Sequence, residues 1–235
     1  MSPGGTPREA RHLHDELEGI RSLLLEMAGM AEDLVRIAVE ALIEREPGKA
    51  DSVILGDREL DAMEVEMDEA CLSVLALHQP VARDLRFITM SMRIANDLER
   101  VGDHAVNIAE AVEHFDSPPA LDRFPQVEEM ARLSQQMLSQ ALDSFVRRDP
   151  ETAKEVCLSD DRVDALNDSL FRSLLTHMME DPRKIGSAMA LILVGRNLER
   201  VADLATNVGE DVVFLVEGVS IKHGIHHRLR DEEGK

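Results

Sequence analysis

Apolar side chains recur every three or four positions along most of the chain, which is the period of an amphipathic α-helix. One such row contains Leu98, Val101, Ala105, Ile108 and Val112. No segment alternates apolar and polar residues in the manner of a half-buried strand, and Ala, Leu, Met, Glu and Arg, which are good helix formers, dominate. The pattern predicts helices at 10–45, 49–78, 81–115, 125–148, 151–180 and 183–217.

Proline marks the breaks between these predicted helices. Asp149-Pro150 and Asp181-Pro182 each place an N-cap acid before a proline at the first helical position. The only proline-dense segment, FDSPPALDRFP (115–125), lies near the middle of the chain and reads as a linker. The chain therefore divides into two halves.

The two halves are related in sequence. DLERVGDHAVNIAE (97–110) is repeated as NLERVADLATNVGE (197–210), 100 residues later. A second match, at an offset of 103, joins DRELDAM (57–63) to DDRVDAL (160–166). Because the matches fall on equivalent predicted helices, each half is interpreted as a three-helix unit.

These observations predict an all-α protein in which two tandem three-helix units bury their apolar rows between long antiparallel helices. Helical bundles with exposed apolar seams often associate, so a homodimer is expected. The predicted parts are a first repeat at 10–115, a linker at 116–124, a second repeat at 125–217 and a mobile tail at 218–235.

Charge limits the classes of ligand. The 235-residue chain has 46 Asp and Glu against 26 Lys and Arg, a formal net charge of -20. Nucleic acid and anionic membrane surfaces need a basic footprint, so cations or basic protein partners fit better, and any membrane association is expected to be peripheral.

No apolar run is long enough to cross a bilayer and no signal-like segment opens the chain, so a cytoplasmic location is expected. Cys71 and Cys157 are isolated and predicted to be reduced core residues.

Acidic residues one helical turn apart form the candidate site. Asp57 and Asp61 share one face of the second helix, and Glu99 and Asp103 share one face of the third. Like charges at this spacing destabilise a helix, and a bound polyvalent cation would offset the repulsion. We call these four residues the first acidic face. Their repeat counterparts, Asp160, Asp164, Glu199 and Asp203, are called the second acidic face.

All of these candidate ligands carry oxygen, which favours hard cations such as Mg²⁺, Ca²⁺, Mn²⁺ or iron, in one or more ions per face; zinc is a further candidate. A solvated polar face is the alternative, but its duplication favours metal. Glu64 and Asp68 have the same spacing without acidic counterparts, so they are predicted to be ordinary surface residues. Possible accessory ligands continue the two faces at Asn107, Glu110, Asn207 and Glu210.

Other chemistries find little support in the sequence. No glycine-rich phosphate loop or nucleophile elbow is present, and the one Glu-x-x-His spacing, Glu9 to His12, lies in the N-terminal lead-in. The histidines at 223, 226 and 227 could bind metal, but a flexible tail with scattered histidines is the commoner explanation. A catalytic function is therefore not expected.

Three arginines recur every seven residues beside the first acidic face. Ion pairs within the helix, such as Arg93 with Asp97, are the simplest interpretation of this row. Docking of an acidic partner is the other interpretation. The row consists of Arg86, Arg93 and Arg100.

The doubled LERVGDHAVNIAE/LERVADLATNVGE motif, QPVARDLR (79–86) and the two D-x-x-x-D segments together resemble the PhoU family over about residues 12–217. The resemblance implies two three-helix bundles related by pseudo-twofold symmetry, with metal bound at the acidic motifs, in some members as multinuclear iron clusters. It assigns the two acidic faces as the ligand sets. The second copy has Ala202 and Leu204 for Gly102 and His104, so the two sites need not be equal.

The resemblance also implies a function and partners. Such a protein acts in the cytoplasm with the ATPase subunit of the phosphate ABC transporter and with a phosphate-responsive sensor histidine kinase. It restrains phosphate uptake and keeps phosphate-starvation genes off when phosphate is plentiful. The expectation is thus a non-enzymatic, metal-binding negative regulator. A helical interaction module without metal and a metal-dependent enzyme are the alternatives.

Overall fold

The computed structural model describes residues 7–115 and 124–221, and every regular element in them is a helix. Two short 3₁₀ segments, Ala111–Phe115 and Pro182–Lys184, flank long helices. Most of the predicted linker and of the predicted tail lies outside the described residues. The α-helices are α1 (Pro7–Glu44), α2 (Pro47–His78), α3 (Ala82–Glu110), α4 (Pro125–Arg147), α5 (Pro150–Cys157), α6 (Asp160–Glu180) and α7 (Ile185–Glu217).

The helices form two tandem three-helix bundles related by internal pseudo-twofold symmetry, which confirms the predicted fold class. In the first bundle α1, α2 and α3 all contact one another, and in the second α7 packs against α4, α5 and α6. The bundles meet where α3 lies against α7. No helix in the described residues is both long and apolar enough to cross a membrane.

The helix ends follow the capping chemistry read from the sequence. The carboxylate of Asp149 accepts hydrogen bonds from the backbone amides of Glu151 and Thr152 at 3.0 and 3.3 Å. The carboxylate of Asp181 accepts one from the amide of Arg183 at 3.1 Å. Each cap satisfies a donor that the first helical turn leaves free, so both predicted helix starts are confirmed.

The predicted helix at 151–180 is wrong in one respect, because it is interrupted between α5 and α6. The amides of Leu158 and Ser159 donate to the carbonyls of Glu155 and Val156, three residues back, at 3.2 and 3.0 Å. This tightens the last turn of α5 and ends it. The equivalent helix of the first bundle, α2, is continuous.

An ion pair joins α3 to α7. Nη2 of Arg93 lies 2.9 Å from Oδ1 of Asp211, and the Asp211 side chain is almost completely buried. The predicted pairing of Arg93 with Asp97 did not anticipate this partner. Sequence spacing suggested a partner one turn away, whereas the buried carboxylate comes from the other bundle. Removing the arginine would leave a buried charge short of its partner, which is costly.

The packing of α5 on α7 depends on a helical glycine. A Cβ atom added to Gly209 would lie 2.9 Å from the carbonyl oxygen of Ala153 and 3.1 Å from Sγ of Cys157. The first of these atoms belongs to the backbone and cannot rotate away. Both cysteines are free and buried, as predicted.

Substitution of Gly209 by Ala is expected to destabilise the protein by about 1–3 kcal/mol, because α5 must move away from α7. Urea unfolding measures the change. Gly29→Ala is the matched control, since this α1 glycine has nothing within 4 Å of an added Cβ. The control should be stabilised by about 0.5–1 kcal/mol through helix propensity alone. Equal effects of the two substitutions would contradict close packing at Gly209.

Candidate metal centre on the first bundle

The four carboxylates of the first acidic face lie close enough to affect one another. The charges of Asp61 and Asp103 both act on Asp57, and those of Asp57, Asp61 and Asp103 act on Glu99. Two of these acids come from α2 and two from α3, which run side by side. The structure therefore brings together residues that are separated by some 40 positions in sequence.

Burial and mutual repulsion raise the pKa values of two of these acids. Burial, followed by the charges of Asp61 and Asp103, raises the pKa of Asp57 to about 6. Burial, followed by the charge of Asp103 and then those of its other acidic neighbours, raises the pKa of Glu99 to about 7. Both shifts mean that the charged form is disfavoured in this environment. A cation placed here would reverse them.

Gly102 makes room for this arrangement. A Cβ atom at this position would lie 2.5 Å from Oδ1 of Asp57 and 2.8 Å from a methyl group of Leu60. The Asp57 oxygen is buried and has no hydrogen-bond partner among the described residues. Buried acceptors are normally satisfied, so this oxygen is available to a ligand.

Glu64, predicted to be an ordinary surface residue, is partly exposed and lies near the first acidic face. Its side chain is half-buried, its charge helps to raise the pKa of Glu99, and it accepts a hydrogen bond from Asn96 at 3.2 Å. Asp68, one turn further on, is exposed as predicted. The i, i+3 spacing of Glu64 from Asp61 was the available signal.

The second acidic face differs because some of its charges already have partners. Nη1 of Arg200 donates to Asp203 at 2.8 Å, and the side-chain amide of Asn167 donates to Glu199. Asp164 remains in an acidic environment, since burial and then the charges of Glu199 and Asp203 raise its pKa. Part of the negative charge on the second face is thus already balanced within the protein.

Two local features account for this difference. Gly195 makes room for Asn167, the counterpart of Glu64, whose Oδ1 would lie 2.6 Å from an added Cβ, so an amide stands here where the first bundle has an acid. Asp160 begins α6, where the helix dipole favours a negative charge, whereas its counterpart Asp57 lies in mid-helix.

The possible accessory ligands are spread over several places. Asn107 and Glu110 line a cavity of about 410 Å³ between α3 and α7, in which Nδ1 of His104 lies 2.9 Å from Oδ1 of Asn197. Asn207 lines a separate cavity beside Arg93, Asp97 and Glu64. Glu210 and Asp160 both act on Cys157, whose pKa burial and these charges raise to about 12.

The three arginines of the predicted docking row have different surroundings. Arg93 is engaged with Asp211, and Arg100 lies 3.5 Å from Asp97. Arg86 lines a cavity of about 490 Å³, and its Nε is buried without a hydrogen-bond partner among the described residues. We call this the arginine cavity. Its charged lining comprises Arg21, Arg83, Arg86, Arg148, Glu18 and Asp84, with His14 beside them.

Two observations make the first acidic face a candidate for a hard cation: its donors are all carboxylate oxygens, and one of them is a buried oxygen without a hydrogen-bond partner among the described residues. No three of these donors lie within 4.8 Å of one another in the described part of the chain, so a shared ion would have to draw them together. The residues that would hold the ion are Asp57, Asp61, Glu99 and Asp103, with Glu64 at the edge of the face.

Fold and site together define a two-bundle helical protein with an acidic face on each bundle. The PhoU domain model matches residues 24–112 and 127–212, one copy in each bundle. The chain belongs to the PhoU family.

Named relatives support this assignment over nearly the whole chain. A phosphate-specific transport system accessory protein PhoU homolog from Pseudomonas aeruginosa is 37% identical over 224 residues, covering 95% of this chain and 93% of its own. The homolog from Aquifex aeolicus is 39% identical over 211 residues, which cover 90% of this chain and 96% of the homolog.

Solved structures show the same fold. The crystal structure of PhoU from P. aeruginosa has a TM-score of 0.83 at 39% identity and covers 88% of this chain and 99% of its own. The phosphate transport system regulatory protein PhoU from Streptococcus pneumoniae has a TM-score of 0.83 at 27% identity, and the match covers 89% of this chain and 99% of that protein.

The raised pKa of Glu99 predicts a pH-dependent cost in the metal-free protein. Because the folded state holds this proton to higher pH than the unfolded chain does, Glu99 costs progressively more stability as pH rises from about 4.5 through 7. Glu99→Gln should therefore gain stability relative to the parent between about pH 5 and pH 8, as measured by urea unfolding in EDTA.

Glu129→Gln is a control of opposite sign. A hydrogen bond from Arg132 lowers the pKa of Glu129, so this carboxylate stabilises the fold once it is ionised. Its replacement should lower stability by an amount that does not grow across the same pH range. A difference between Glu99→Gln and the parent that stays constant with pH would contradict the account of Glu99.

Proposed function

We propose that this protein is a cytoplasmic, non-enzymatic negative regulator of phosphate uptake and of phosphate-starvation signalling. Its proposed partners are the ATPase subunit of the phosphate ABC transporter and the sensor histidine kinase of the phosphate two-component system. Membership of the PhoU family and the names of its relatives, which are accessory proteins of phosphate-specific transport, support this function. The proposed homodimer is a separate prediction.

The first acidic face carries the metal-dependent part of the proposal. Two of its acids have raised pKa values because like charges are held together in a half-buried setting, and Asp57 has a buried oxygen without a partner. Mn²⁺, Mg²⁺ or iron suits this donor set, in one or more ions.

A bound cation would supply positive charge at a surface that otherwise repels acidic groups. Asp57 and Glu99 would give up their protons and bind, while Gly102 lets the Asp57 carboxylate lie close against α3. On a chain of net charge -20, this local reversal of charge would allow the face to receive carboxylate or phosphate groups of a partner.

The arginine cavity is the proposed docking point that needs no metal. Arg86 is the member of the predicted docking row that keeps an unpartnered buried nitrogen, and the cavity brings four arginines together with two acids. Guanidinium groups bind carboxylates in a two-pronged geometry. An acidic side chain of the partner therefore fits this cavity, while the rest of the chain repels acidic proteins.

The second acidic face favours a different function. Its pairs Arg200–Asp203 and Asn167–Glu199 satisfy charges within the protein. This bundle is therefore proposed to act mainly as an interaction module, with weaker metal binding than the first bundle.

The metal-dependent contact is tested by titrating the transporter ATPase subunit against the untagged protein in Mn²⁺ and in EDTA. Glu99→Gln/Asp103→Asn should reduce the Mn²⁺-dependent gain in affinity by about 10-fold or more, the scale of losing an interfacial charge contact. The matched second-bundle variant, Glu199→Gln/Asp203→Asn, should lose less. Arg86→Ala should weaken binding equally in Mn²⁺ and EDTA.

Two outcomes would contradict this proposal. Affinity that is the same in Mn²⁺ and EDTA would exclude a metal-dependent contact and favour the metal-free interaction module. Unchanged affinity after neutral substitution of all eight acids of the two faces would exclude them from the interface.

A further inference from the structure

A second, chemically different cluster lies at the far end of the α1–α2 hairpin. His12 and Glu16 are one turn apart near the start of α1, and His78 is the last residue of α2. The two helices are antiparallel neighbours of nearly equal length, so the start of one meets the end of the other. α2 ends here because Gln79 adopts a left-handed backbone conformation, with φ of 47°.

The three side chains converge on one point. Oε2 of Glu16 lies 2.6 Å from Nε2 of His78, and Oε1 of Glu16 lies 3.6 Å from Nε2 of His12. All three potential ligand atoms lie within 4.8 Å of one another. The imidazole rings meet edge to face, with centroids 5.6 Å apart.

The contact between Glu16 and His78 leaves both groups unsatisfied. Oε2 of Glu16 and Nε2 of His78 are buried, and neither has a hydrogen-bond partner of acceptable geometry among the described residues. Close approach without an aligned hydrogen bond is unusual for two buried polar atoms. An ion bound between them would satisfy both.

We propose that His12, Glu16 and His78 form a site for a zinc-type divalent cation, distinct from the acidic faces. Two imidazole nitrogens and one carboxylate oxygen are a ligand set that suits Zn²⁺, whereas carboxylates alone suit harder cations. Tetrahedral bonds of about 2.0–2.2 Å place ligand atoms roughly 3.3 Å apart. The observed separations are 2.6 Å from Oε2 of Glu16 to His78 and 3.6 Å from Oε1 to His12, so each imidazole faces its own oxygen of the carboxylate.

The surroundings also favour a cation with one open position. His78 lies at the C-terminal end of α2, where the helix dipole attracts positive charge. The His12 side chain is 65% exposed, whereas that of His78 is 13% exposed. The ion would therefore be held on one side by protein and face solvent on the other, where water or a partner's side chain can complete its coordination. It would tie the start of α1 to the end of α2.

The test uses the untagged full chain with the histidines at 223, 226 and 227 replaced by Asn, so that they do not bind the probe. Zn²⁺ is titrated calorimetrically in saturating Mg²⁺, and Co²⁺ replaces it for visible absorption spectra. One Zn²⁺ per chain is expected, with the spectrum of four-coordinate Co²⁺. His12→Ala and Glu16→Gln should each weaken binding by about 10-fold or more, since even outer-shell changes cost this much.

Two controls keep the result specific. His14 lies on the same helix as His12 but lines the arginine cavity, so the His14→Ala variant should bind Zn²⁺ as the parent does. Asp57→Asn/Glu99→Gln disables the first acidic face and should also leave this Zn²⁺ bound, which separates this site from the proposed function.

Absence of Zn²⁺ binding by the parent would overturn the proposal and leave a metal-free His–Glu ion pair. Equal affinities of the His12→Ala and His14→Ala variants would overturn it as well, because the ion would then lie elsewhere. Because His12 is largely exposed, its replacement should not unfold the chain, and circular dichroism checks this.

Discussion

The close approach of α2 to α3 at Gly102 is the constraint on which the candidate site depends. It places the Asp57 carboxylate against the backbone of α3, buries one of its oxygens and holds it near Asp103 and Glu99. Apolar packing in the same bundle, with Leu60 and Leu98 fully buried, fixes the two helices at this separation. The fold therefore maintains an electrostatic strain that a cation can relieve.

The duplicated second bundle keeps the fold but relieves the same strain internally. A different glycine, Gly195, allows the close approach of Asn167, which donates to Glu199. Arg200 pairs with Asp203, whereas its counterpart Arg100 lies 3.5 Å from Asp97. The two related faces thus differ in how much of their negative charge is balanced by neighbouring side chains, and the first face is the one more favourable for a cation.

Sequence periodicity was sufficient for the fold, because apolar spacing, proline breaks and the internal repeat are all local signals. Proline and acid caps located the starts of α5 and the last 3₁₀ segment to within a residue. The break between α5 and α6 was missed, since neither Leu158 nor Ser159 is a strong helix breaker and the tightened last turn of α5 has no signal in residue type.

The candidate site was only partly predictable for the same reason. Spacing along one helix identified the acids of both faces, but the contacts of Asn167 and Asp211 depend on which side chain of another helix lies opposite. His12 and His78 are 66 positions apart, and only the hairpin of α1 and α2 brings them together. Contacts between helices carry no signal in the spacing of a single sequence.

Anomalous X-ray scattering from crystals of metal-depleted protein soaked in Mn²⁺ tests the central claim most directly. The account predicts the strongest peak beside the carboxylates of Asp57 and Glu99, with a weaker peak or none at Asp164 and Glu199. Absence of a peak at the first acidic face, or a peak at the second face alone, would contradict it.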